Sequence, residues 1–145
     1  MSVAVFLRLT PSQVVASAFF GIISDMDHTL GLRHRGFTHS LLFAFLGFVA
    51  TSALFPNLAI PVLTGITTHI FADMLNPEGV ELFYPARRNY RILKLRFDSK
   101  LGNGLIVALS VFLVVLRLRG YSVDVGMLKA VVNFIHDQAL KLGLR

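Results

Sequence analysis

Two apolar stretches of similar length, Thr38 to Phe55 and Leu58 to Leu75, meet at Pro56-Asn57. Each is long enough for a helix, and the break between them predicts an antiparallel helical hairpin, with Pro61 tolerated in the first turn of the returning helix. His39 lies seventeen residues before Pro56 and Asp73 seventeen after it. At 1.5 Å per residue both lie about 26 Å from the turn, so they are level. His69, four residues before Asp73, shares its helical face one turn deeper. The polar loop ahead of the hairpin carries Asp25, Asp27, His28 and His34 and opens at that same end. Seven candidate ligands from three segments therefore converge.

The remainder of the chain is apolar. Hydrophobic residues make up 54% of 145, and mean hydropathy is +0.68. The expectation is one all-α domain, residues 1–145: an integral membrane helical bundle of three to four membrane helices. Thr10-Pro11-Ser12-Gln13 reads as a helix start, with a capping box between Thr10 and Gln13 and Pro11 at the first position. The helix then runs to Ser24, and residues 1–9 extend it across a Pro11 kink. Gly102 to Leu118 is long enough to span. Leu128, Val131, Val132, Ile135, Ala139 and Leu142 share a face of an amphipathic C-terminal helix that leaves Lys129, Asp137 and Lys141 off it. His136 on that helix is expected at the surface. Basic and apolar residues partly alternate over Arg91–Phe97, predicting a short β-like flap at about 80–98 on the membrane surface.

Net charge is +6. Arg87, Arg88, Arg91, Lys94, Arg96 and Lys100 fall in one stretch between apolar segments. They are not interleaved with aromatics on one face, so anionic lipid is the expected partner and nucleic acid is not. With Arg33 and Arg35, eight basic residues lie at the ligand end, against Arg8, Arg117, Arg119, Lys129, Lys141 and Arg145 at the other. That asymmetry favours a multi-pass inner (plasma) membrane protein with its site facing the cytoplasm. There is no Cys, which excludes disulfides and thiolate metal sites.

Carboxylates and imidazoles gathered in a greasy chain suit a divalent metal. Asp25, Asp27, His28, His34, His39, His69 and Asp73 are the candidate ligands. Arg35 has the geometry to clamp a phosphate, Asp25 or Asp27 could orient or deprotonate a water, and Thr38 and Asn76 complete a substrate-binding set. Thr38 also fits as the N-cap of the following helix. Glu78 and Glu81 are either outer-sphere groups or solvated. The same intramembrane His and Asp could instead serve a non-enzymatic divalent-ion or proton-coupled transporter.

Three ordered strings carry a resemblance: Asp25-x-Asp27-His28; His34-Arg35-Gly36-Phe37-Thr38-His39-Ser40; and His69-x-x-x-Asp73-x-Leu75-Asn76-Pro77-x-Gly79-Val80-x-Leu82-Phe83-Tyr84-Pro85. Over residues 14–97 the chain resembles the YdjM-like family of membrane-bound, metal-dependent hydrolases. That family looks distantly similar to the zinc-dependent phospholipase C and P1 nuclease group through the His-x-x-x-Asp on a helix, here His69 and Asp73. The resemblance implies a metal-dependent hydrolase with one to three ions, zinc being the expected one. Its substrate would be a phosphate ester, on a phospholipid or a related compound. The family's further His near the start of the first helix has no counterpart, since no His precedes His28; either the start is truncated or reassigned, or water takes that ligand's place.

Overall fold

The computed structural model describes residues 2–26, 36–94, 100–121 and 123–144. Among these are six α-helices: α1 (Ser2–Phe6), α2 (Pro11–Ile23), α3 (Leu41–Leu54), α4 (Pro56–Met74), α5 (Lys100–Leu118) and α6 (Gly126–Lys141). A short 3-10 turn, Phe37–His39, precedes α3.

The local signals explain where these helices start. The Thr10 hydroxyl accepts from the Gln13 N–H and the Gln13 side chain accepts from the Thr10 N–H, while Pro11 opens α2. Two otherwise unpaired groups of the first turn are thereby satisfied. The chain does not extend upstream as one kinked helix. Arg8 turns it at φ 59°, and α1 is a separate five-residue helix. Ser40, rather than Thr38, caps α3 by accepting from the Phe43 N–H. One residue, Phe55, joins α3 to α4, and Pro56 begins α4 directly.

α4 is the central helix, packed against α2, α3, α6 and α1. Its face toward α3 buries Val62, Ile66 and Ile70 with Ala44 and Val80. Toward the hairpin turn, Ala59 and Ile60 pack with Phe48 and with Val132 of α6. α2 runs parallel to α4 and very close to it. A side chain at Gly65 would collide with the Ser17 carbonyl oxygen, and one at Gly21 would press on Gly65. α6 docks through Val132 and Ala139, with Leu128 and Ile135 flanking. Val131 and Leu142 stay exposed, so the buried stripe is narrower than the sequence pattern. His136 is not a free surface residue: its Nδ1–H donates to the Ala53 carbonyl at 2.8 Å.

The expected integral membrane bundle of three to four membrane helices is overturned. No helix among the described residues is long and apolar enough to cross a membrane. The helices α2 and α3 have 13 and 14 residues, or about 20 Å of rise, against a hydrocarbon core of about 30 Å. α4 has 19 residues, but from Thr64 onward it carries Thr64, Thr67, Thr68, His69 and Asp73. α5 also has 19 residues, yet Lys100, Gly102, Asn103 and Gly104 occupy its first turns and Arg117 its last.

The expected flap is smaller than predicted. Val80 and Tyr90 form one isolated antiparallel bridge, and residues 91–94 are not strand; residues 95–98 lie outside the described residues. Gly79 has φ +68° with Tyr90 against it, a position only glycine takes without strain. The segment after α4 still matters. The Ile92 N–H reaches the Met74 carbonyl and the Leu41 N–H reaches the Leu82 carbonyl, tying the end of α4 to the start of α3.

Candidate metal centre

Four of the predicted ligands meet where α2 ends, α3 begins and α4 ends. One nitrogen or carboxylate oxygen each from Asp25, His39, His69 and Asp73 lies within 4.8 Å of all the others. His39 Nε2 is 3.1 Å from Asp73 Oδ2 and 3.4 Å from Asp25 Oδ1. His69 Nε2 is 3.1 Å from Asp25 Oδ1 and 3.8 Å from Asp73 Oδ2. The two Nε2 atoms face each other at 3.3 Å. Four ligands arranged tetrahedrally at about 2.0–2.2 Å from a zinc ion are separated by about 3.3–3.6 Å. Five of the six spacings bracket that range and the sixth, between the Asp25 and Asp73 carboxylates, is no more than 4.8 Å, so the donor set is of the size that a small divalent ion draws together.

Three elements hold the four members. His69 and Asp73 stand one turn apart on α4, which the core fixes through Ile66 and Ile70. His39 sits in the 3-10 turn and is fully buried. Thr38 Oγ1 lies 3.0 Å from His39 Nδ1. A neutral His39 that donates from Nδ1 to this hydroxyl carries its lone pair on Nε2, the atom that faces the cluster. Asp25 follows α2 and is 52% exposed, whereas the His69 and Asp73 side chains are 20% and 10% exposed. The centre is therefore closed on three sides and open at Asp25.

Asp27, His28, His34 and Arg35, also predicted for the site, lie outside the described residues. Thr38 is buried against His39. Asn76 lies in the turn after α4, where its N–H donates to the Asp73 carbonyl. Glu81 is buried and Glu78 exposed, which separates two residues that the sequence leaves equivalent. One buried residue next to a ligand in the chain escapes sequence reasoning altogether. Ser24 is wholly buried beside Asp25, and nothing in its local pattern distinguishes it from a solvated helix end.

The family described as YdjM inner membrane protein matches residues 2–136. Inner membrane protein YdjM of Escherichia coli (strain K12) is 40% identical over 109 residues, covering 59% of this chain and 53% of that protein. The Shigella flexneri protein of the same name gives the same values. Uncharacterized protein YvsG of Bacillus subtilis (strain 168) is 34% identical over 61 residues, 41% of this chain and 38% of that one. The chain spans about half the length of the first two of these relatives. No solved structure matches it.

Proposed function

The chain belongs to the YdjM inner membrane protein family, and we propose that it is a metal-dependent hydrolase of phosphate esters acting at the inner membrane. The observation that carries this reading is the quartet Asp25, His39, His69 and Asp73, whose donor atoms gather within 4.8 Å. Two imidazoles and two carboxylates suit zinc or a similar first-row divalent ion. Such an ion lowers the pKa of a bound water toward about 7 and polarises a phosphoryl oxygen.

The protein's own groups divide the remaining work. His39, His69 and Asp73 are the enclosed members and set the geometry. Asp25 is the half-exposed member, the first that a substrate entering from solvent meets; it would be the ligand that yields its position on the ion to a water and then orients that water, since a catalytic ion keeps one position open. Thr38 holds the His39 ring through Nδ1.

The test uses purified protein in detergent, with chromogenic phosphomonoesters and phosphodiesters. Zinc-loaded protein is expected to hydrolyse one class, chelated protein neither. Equal turnover by a His39→Ala/Asp73→Ala double variant would reject the reading.

A further inference from the structure

Ser24 is the one buried side chain among the described residues whose polar atom has no hydrogen-bond partner. It is 0% exposed. A buried hydroxyl without a partner is costly, so its presence beside a ligand cluster asks for a physical account.

Its place in the packing supplies one. Ser17, Gly21 and Ser24 are spaced i, i+4 and i+7, which puts them on one face of α2. That face meets α4. The Ser17 carbonyl and the Gly21 backbone touch Gly65, and a Cβ on Gly21 would lie 3.9 Å from the His69 Cβ. α2 and α4 run parallel, and three further residues advance about 4.5 Å along α2. Ser24 is therefore level with the His69–Asp73 turn. The next residue, Asp25, already touches His69 at 3.1 Å.

We infer that the Ser24 hydroxyl belongs to the binding site, where it donates a hydrogen bond to an oxygen of the phosphoryl group that the Asp25/His39/His69/Asp73 cluster receives. The inference rests on the proposed metal-dependent function and adds a fifth side chain to the site. A hydroxyl suits this task. It has one donor hydrogen, adds no charge, and rotates to follow the acceptor. Asp25 and Asp73 supply negative charge, and a neutral donor beside them offsets their repulsion of an incoming oxyanion without displacing the cation they hold.

The experiment compares wild type, Ser24→Ala and Ser24→Cys in three measurements. These are melting of the metal-free protein, zinc affinity, and binding of inorganic phosphate to the zinc-loaded protein by calorimetry. A site hydroxyl predicts that Ser24→Ala melts no lower than wild type when metal-free. It predicts zinc affinity within about threefold and phosphate binding weakened about tenfold, the scale of one hydrogen bond to a charged acceptor. Ser24→Cys, a weaker donor of similar shape, falls between. Lower metal-free melting in Ser24→Ala with unchanged phosphate affinity would make the hydroxyl structural and overturn the inference. Unchanged phosphate affinity with unchanged melting overturns it as well, leaving the hydrolase reading intact. Wild-type protein that binds neither zinc nor phosphate overturns both.

Discussion

At the scale of single residues, the centre depends on side chains that touch a ligand as well as on the ligands. Thr38 lies 3.0 Å from His39 Nδ1 and is buried with it. Removing such an outer partner costs metal sites about 10–100-fold in affinity. Thr38→Val keeps the shape and removes the hydroxyl. Its zinc affinity, measured by competition with a chromogenic chelator, is expected to fall within that range while helix content stays unchanged. An affinity equal to wild type would mean that the hydroxyl does not orient the ring. The importance of Thr38 could be read from the sequence, but its task could not. Its neighbourhood in Phe37-Thr38-His39-Ser40 fits a helix cap or a substrate contact equally well. The cap falls instead to Ser40, because the chain makes a 3-10 turn first and so aims the Thr38 hydroxyl at its neighbour. Ser24 was still less legible, since burial of a small hydroxyl depends on how close another helix comes.

That close approach is a property of elements. Gly65 of α4 faces the Ser17 carbonyl and the Gly21 nitrogen of α2, and all of these are backbone atoms that cannot rotate away. Gly65→Ala forces α2 off α4. The expected loss is about 2–3 kcal/mol, the scale of overpacking in a well-filled interior, read as a lower midpoint in thermal or denaturant unfolding. Asp25 rides on the end of α2, so zinc affinity should fall too. At Gly104 of α5 an added methyl group would meet nothing within 4 Å. Gly104→Ala is accordingly expected to stabilise by about 0.5–1 kcal/mol through helix propensity. Comparable effects at both positions would show that α2 does not pack against α4 as described. At this scale much was legible. The Thr10/Gln13 capping box, the Pro56 break and the level placement of His39 and Asp73 follow from spacing alone, because they are set by neighbours in sequence or by one turn. The narrower buried stripe of α6 and the His136 bond to Ala53 were not, because α3 decides them.

For the whole molecule, the ligands knit together segments far apart in the chain. Asp25 and His69 are 44 residues apart and His39 and His69 are 30 apart, so an ion at the centre closes two loops at once. The same set puts two carboxylates against two imidazoles in a small volume, and a divalent cation relieves the crowding of the carboxylate charges. High mean hydropathy suggested that membrane-spanning length would organise this fold. The helices instead break or turn polar where the ligands must gather: α4 gives up apolar character to His69 and Asp73, and α2 ends so that Asp25 can turn inward. The cation should therefore act as a structural element. An ion bound only to the folded chain stabilises it by about 2.7 kcal/mol when present at a hundred times its dissociation constant. Chelation of purified protein is expected to lower the melting temperature by several degrees, and zinc should restore it in a concentration-dependent way. His39→Ala and Asp73→Ala should each remove that dependence, while His136→Ala, which removes one hydrogen bond between α6 and α3, should lower the melting temperature and keep it. Melting of wild-type protein that ignores both chelator and zinc would show that the four side chains hold one another together without an ion, and the centre would then be a buried hydrogen-bonded cluster.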